Sequence, residues 1–132
     1  MAKLYFRYAA MNAGKSTALL QVAHNYEERG QRVELFTSAL DVRSGYGRIA
    51  SRLGLSREAE AYSATTDFEA LYRLRSAPSC VLIDEAQFLS AGQVTQLHRI
   101  AHLCGIPVIC YGIRSDFRGD AFPGSRAADA GR

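Results

Sequence analysis

Two runs of this chain, CVLID at residues 80–84 and IPVICYG at 106–112, are apolar at almost every position. A strand with one wet face alternates polar and apolar residues. A strand that is apolar throughout is covered on both faces, which is the habit of a parallel sheet packed between helices. Parallel neighbours also need a crossover connection, usually a helix. The chain supplies such crossovers. From Lys15 to Arg29 the residues Leu19, Val22, Ala23 and Tyr26 recur at helical spacing, and Gly30 follows as a left-handed terminator. Residues 3–8 and the run RVELFTS at 32–38 are expected as two further strands. A short helix is expected over 67–75 with Thr66 as its cap. Ser90 is expected to cap a helix that carries Val94, Leu97, Ala101 and Cys104 on one face and ends at Gly105. Residues 41–64 are rich in Ser and Gly and show no period, so a long irregular loop is expected there, a feature that is often functional. No repeat or linker divides the chain. The expectation is one α/β domain over residues 1–132, a mostly parallel sheet flanked by helices.

Composition excludes several classes. The net charge is +3 without a dense Lys/Arg cluster, the longest basic grouping, Arg43 to Arg57, being loose, and its arginines come with few aromatic residues. A nucleic-acid partner is therefore not expected. Cys80, Cys104 and Cys110 form no C-x-x-C pair, and His98 and His102 share a helix face without a nearby carboxylate, so no zinc site is expected. The thiols read as reduced cysteines of a cytoplasmic protein. No signal peptide or membrane-spanning run is apparent, and no membrane partner is expected.

The first expected strand runs into AAMNAGKST, residues 9–17. The phosphate-loop pattern G-x-x-x-x-G-K-[ST] asks for Gly at the first position, where this chain has Ala9. Gly14 stands where a Cβ would most crowd a phosphate, Lys15 can reach the β- and γ-phosphates, and the Ser16 hydroxyl can serve Mg²⁺. Backbone N–H groups at the start of the following helix complete an anion site. Ala is the smallest replacement for the first Gly. A second constellation, CVLIDEAQF, puts Asp84 at the end of a buried strand, where an acid can hold the water shell of Mg²⁺ opposite Ser16. Glu85 adds a second carboxylate suited to removing a proton from an acceptor hydroxyl. Its plain structural alternative is a carboxylate favoured by a helix N-terminus. The loop at 9–14, Asp84 and Gly112 all fall at the carboxyl ends of expected strands, where open α/β sheets bind ligands.

The runs LYFRYAAMNAGKSTALLQ, YEERGQRV, SRLGLS, DEAQF and YGIRSDFRGDAFPGS resemble the type II thymidine kinases, in their bacterial branch, deoxynucleoside kinases built on a RecA-like P-loop core. The resemblance runs from Leu4 to Ser125, and that branch accepts a small residue in place of the first loop glycine. It implies transfer of the ATP γ-phosphoryl group to the 5′-hydroxyl of thymidine, with ATP and Mg²⁺ as cofactors. Ala9, Ala10, Met11, Asn12, Ala13, Gly14, Lys15 and Ser16 would cradle the phosphates. Asp84, Glu85, Ala86 and Gln87 would complete the ATP/Mg²⁺ site, with Glu85 the catalytic base. Asp41 and Arg43 match a D-x-R pair at the ribose end of the acceptor. Met11, Phe88, Ile113, Phe117 and Phe122 match positions around the nucleoside pocket, for which ordinary core packing is the competing reading.

Two departures stand inside the matched region. Ser44 follows the D-x-R pair where the family has an aromatic residue, and Val42 replaces a common acid. The family continues into a small zinc-binding domain and a lasso that closes over the base, and neither is recognisable before the chain ends at SRAADAGR. The expectation is a kinase core of weak or no activity by itself and of marginal stability, from a family that assembles as tetramers. A nucleotide-binding module without phosphoryl transfer, and a P-loop ATPase acting on nucleic acid, are the alternatives.

Overall fold

In the computed structural model, residues 2–9, 15–40, 47–51 and 54–113 are described, with backbone only for Ala9 and Lys15. Strand β1 (Leu4–Ala9) leads to helix α1 (Lys15–Glu28) and β2 (Val33–Ser38). Three short strands follow, β3 (Arg48–Ala50), β4 (Ser56–Glu58) and β5 (Glu60–Tyr62). Then come α2 (Phe68–Leu74), β6 (Cys80–Ile83), a single 3₁₀ turn (Ala86–Phe88), α3 (Ala91–Cys104) and β7 (Val108–Ile113). Five strands form one sheet in the order β1-β7-β6-β2-β5, with every neighbouring pair parallel.

The expected doubly covered strand is β6, buried at all four positions. Its side chains alternate between two cores, as the period of a strand requires. Val81 and Ile83 join Phe36, Phe68, Val94, Leu97 and Val108 beneath α2 and α3. Cys80 and Leu82 join Leu19, Leu20, Ala23, Leu35 and Ile49 beneath α1. Leu82 is completely buried. Leu82→Ala should cost about 2–5 kcal/mol through lost transfer energy and a residual cavity. That is a large part of the roughly 5–15 kcal/mol that holds a domain folded, and it is read as a lower urea midpoint.

Several expectations change. The segment 41–64 is not irregular throughout. Arg48–Ala50 and Ser56–Glu58 pair as an antiparallel hairpin, and Glu60–Tyr62 adds a fifth parallel strand beside β2. Each of these strands is three residues long, below the length at which a period of two can be recognised, and β4 is SRE, polar throughout. The hairpin is fastened to α1 by paired contacts from Arg57 to both carboxylate oxygens of Glu27, at 2.5 and 2.6 Å. The cap of α2 is Asp67, whose Oδ1 accepts from the Ala70 N–H at 3.1 Å. Thr66 instead uses its Oγ1 to accept from the Ser63 N–H at 3.0 Å, closing the turn before the helix. On α3 the cap is Ser90, as expected, in a reciprocal capping box with Gln93, and Gly105 is left-handed. Cys104 is exposed, however, and the apolar residues buried on α3 are Val94, Leu97, Ile100 and Ala101. His98 and His102 lie on the solvent side.

Candidate active site

Strand register brings the expected site to one rim. Tyr8 is level with Gly112 and Ala9 with Ile113, while Ile83 is level with Cys110. The carboxyl ends of β1, β6 and β7 therefore lie side by side, with Asp84 directly beyond β6. Helix α1 starts at Lys15, with only five residues between it and the end of β1, so its N-terminus stays near the same rim. Its first turn holds no acidic residue, which leaves the backbone N–H groups and the positive end of the helix dipole uncompensated from within the turn. Ser16 is half-buried in that turn.

Asp84 and Glu85 are both buried, at 3% and 2% exposure, which is unusual for neighbouring carboxylates and needs a built environment. The Asp84 N–H donates to the Phe36 carbonyl at 2.7 Å, continuing the β6–β2 ladder past the strand's last residue. Asp84 Oδ1 accepts from the Glu85 N–H at 2.9 Å, which sets the orientation of the first carboxylate. Glu85 then turns the chain sharply, with φ 58° and ψ 44°, and it is the one non-glycine residue in the left-handed region among those described. This conformation costs a side-chain-bearing residue about 1–2 kcal/mol. The chain returns through the 3₁₀ turn, where the Phe88 N–H donates to the Glu85 carbonyl at 3.1 Å. Because only three residues follow in that turn, Glu85 does not head a helix with a substantial dipole, and the structural alternative raised for it loses its basis.

Besides Asp84, the side chains of Gln87 and Tyr62 hold Glu85 among the described residues. The Gln87 amide donates through Nε2 to Glu85 Oε2 at 2.5 Å, and its Oε1 accepts from the Ile113 N–H at 3.3 Å. Gln87 thus bridges the carboxylate and the end of β7. The Tyr62 hydroxyl, on the edge strand β5, donates toward the backbone carbonyls of Glu85 at 2.6 Å and Asp84 at 3.2 Å. Burial, reinforced by Cys110, Asp84 and Glu85, pushes the Tyr62 hydroxyl far above the ordinary tyrosine range, so it remains a donor.

Of the residues singled out from the sequence, Asp84, Glu85, Gln87 and Ile113 are joined by hydrogen bonds at the rim, and Ser16 stands in the first turn of α1. Ala86 is buried in the core under α3, so its side chain faces away from any ligand. Phe88 is 44% exposed, at the end of the 3₁₀ turn, and is not packed in the core. Ala10, Met11, Asn12, Ala13, Gly14, Asp41, Arg43, Phe117 and Phe122 lie outside the described residues, as do the side chains of Ala9 and Lys15. Tyr62 was missed. It lies in a segment read as loop, and its contact with Glu85 spans 23 positions, so no local pattern marks it.

No group of three or more His, Cys, Asp or Glu residues able to hold a metal ion occurs among the described residues. That does not conflict with Mg²⁺, which is typically bound by one or two carboxylates together with the phosphates of its nucleotide. The Asp84 carboxylate is buried and oriented by the Glu85 N–H, and Ser16 in the first turn of α1 carries a second oxygen donor. Among the described residues no helix is long and apolar enough to cross a membrane.

The comparisons with known proteins agree with this geometry. A solved structure described as a DNA replication initiation factor matches 97% of this chain and 37% of its own, with a TM-score of 0.54 and 16% identity, a likeness of fold alone. A thymidine kinase of Idiomarina loihiensis is 63% identical over 128 residues, covering 95% of this chain and 66% of that protein. One of Chromobacterium violaceum is 56% identical over 125 residues, covering 95% and 67%. A third, of Legionella pneumophila strain Lens, is 56% identical and is covered to 62%. The chain thus spans about two thirds of the length of these relatives. The family model for thymidine kinase matches residues 2–128, nearly the whole chain. By that match, and by relatives more than half identical to it, the chain belongs to the thymidine kinase family.

Proposed function

We propose that this chain is the ATP-binding and phosphoryl-transfer core of a thymidine kinase. The observation that carries the proposal is the Asp84–Glu85 pair, buried at the carboxyl rim beside the start of α1. The polyphosphate of ATP would lie across residues 9–16, against the N–H groups of the first turn of α1 and the charge of Lys15. Ser16 and Asp84 would hold Mg²⁺. Bound with the nucleotide, the ion would supply neutralisation of charge developing on the β- and γ-phosphate oxygens.

Glu85 takes the proton of the thymidine 5′-hydroxyl. As that oxygen bonds to the γ-phosphorus, the bond between phosphorus and the β–γ bridging oxygen breaks, and ADP departs with the electron pair. Gln87 keeps one Glu85 oxygen in place during the transfer, and Asp84 keeps its own orientation through the Glu85 N–H. Asp41 and Arg43 would meet the ribose, with Met11, Phe88, Ile113, Phe117 and Phe122 around the nucleoside. The work of such a site is mostly positioning and electrostatics, with proton removal a smaller part. A cytoplasmic setting suits three cysteines that are all free thiols among the described residues.

Two measurements on the same preparation test the reading. ATP titration followed calorimetrically should show saturable, Mg²⁺-dependent binding, and labelled thymidine should become thymidine monophosphate when ATP is supplied. ATP binding without any thymidine monophosphate, both from this core by itself, where turnover should be weak, and from its fusion to the remainder of a relative, would favour a nucleotide-binding module. No ATP binding would remove the site.

A further inference from the structure

We infer that Tyr62 is a positioning residue for the proton acceptor: its hydroxyl fixes the left-handed turn at Glu85 and so sets where the carboxylate points. The inference rests on the reading of Glu85 as the base. Three observations converge on it. Glu85 holds φ 58°, ψ 44°, a conformation a glutamate does not choose by itself. A glycine would satisfy such a turn without help, but it would provide no base. The turn must therefore be imposed from outside, and Tyr62 does so through a 2.6 Å hydrogen bond to its backbone.

The second observation concerns the pair of carbonyls. In the relaxed, extended conformation the Asp84 and Glu85 carbonyls would diverge, as they do along a strand. Here both face one hydroxyl, at 3.2 and 2.6 Å. A single donor reaching two successive carbonyls selects the bent backbone over the extended one. The carboxylate of Glu85 follows, because its Cα is fixed between the Tyr62 contact on one side and the Asp84 Oδ1 contact on the other.

The third is that Tyr62 is itself rigidly held. It is 1% exposed, with its ring against Phe68 at 5.8 Å between centroids. Its backbone is level with Ser38 in the β2–β5 ladder, and its carbonyl accepts from the Ala39 N–H at 2.8 Å. The next residue is held as well, since Gln93 Nε2 donates to the Ser63 carbonyl at 2.8 Å. A hydroxyl this firmly placed can transmit its position to the turn.

Tyr62→Phe keeps the ring and removes the donor. In the chain labelled with carbon-13, the Glu85 Cα and carbonyl resonances should move toward values of extended backbone, while those of Phe36 and Phe68 stay in place. In the thymidine assay kcat should fall about tenfold to a hundredfold, the range expected when a reacting group is misplaced by a fraction of an ångström to an ångström, with KM for ATP within about twofold. A turn that does not move overturns the inference. So does a turn that moves while kcat holds, since Tyr62 would then be structural only. If the parent chain binds ATP and makes no thymidine monophosphate, the kinase reading is what fails. The Glu85 Cα and carbonyl resonances then decide the inference by themselves, and resonances that stay in place in Tyr62→Phe overturn it. Should Tyr62→Phe not fold, 3-fluorotyrosine at position 62 keeps the packing and strengthens the donor. The Glu85 carbonyl resonance should then shift, and its failure to do so overturns the inference.

Discussion

Glu85→Gln should lower kcat for thymidine phosphorylation by about 10²–10⁴-fold, the usual share of a general base. The amide keeps the shape of the side chain and removes its basicity, and in the left-handed turn it fills the same space. ATP affinity should stay within about twofold, because the proton acceptor acts on the acceptor hydroxyl and not on the nucleotide. The cleanest assay joins this core to the C-terminal third of the Idiomarina loihiensis relative, 63% identical over the shared region, so that both forms are compared at the relatives' full length. Steady-state rates at saturating ATP and thymidine then read the chemical step. Undiminished kcat would take Glu85 out of the mechanism and leave Asp41 as the next carboxylate to test.

Lys15→Ala should weaken Mg²⁺–ATP binding at least about tenfold. Lys15 opens α1, and the phosphate-loop pattern gives it the β- and γ-phosphates to meet. A hydrogen bond to a charged group contributes roughly 1.5–3 kcal/mol, and each 1.4 kcal/mol is a factor of ten in the dissociation constant. The helix start itself would remain and would still attract an anion, so binding should weaken and not vanish. Calorimetric titration of both forms measures the change directly. An equal dissociation constant in the two would move the phosphates away from residues 9–16.

The frame of the fold was legible because its signals are local or strongly periodic. CVLID could only be a strand covered on both sides, and β6 is buried at every position. Ser90 and Gly105 bracket α3 by the chemistry of their own side chains and backbone. The same locality explains the misses. Both Thr66 and Asp67 are good caps, and the choice between them depends on which one the preceding turn consumes, here Thr66 through the Ser63 N–H. Strand β5 has three residues and owes its existence to β2, which is more than twenty positions earlier in the chain. In the site, Asp84 and Glu85 were readable as chemistry. The left-handed backbone at Glu85 was not, because glutamate carries no preference for it and the stabilising hydroxyl comes from Tyr62.

That β5 is the outermost strand of the sheet has a consequence for how the molecule breathes. Edge strands open at lower free energy than central ones, and β5 has only three residues paired with β2. Its last residue, Tyr62, is held in the core, but its first, Glu60, is held electrostatically. Arg75 reaches Glu60 on β5 at 2.6 Å and Glu34 on β2 at 3.2 Å, and Arg75 and Glu60 are 30% and 50% exposed. Contacts so placed are screened by salt. Amides of residues 60–62 should therefore exchange with solvent faster as ionic strength rises, while those of β6 stay protected. Only openings that spread from Glu60 as far as the buried Tyr62 would withdraw its hydroxyl from the turn at the sheet's centre. The fraction of molecules with a correctly set carboxylate would then follow the fraying of a strand at the far border of the sheet, so that ionic strength reaches the chemistry through the edge of the fold.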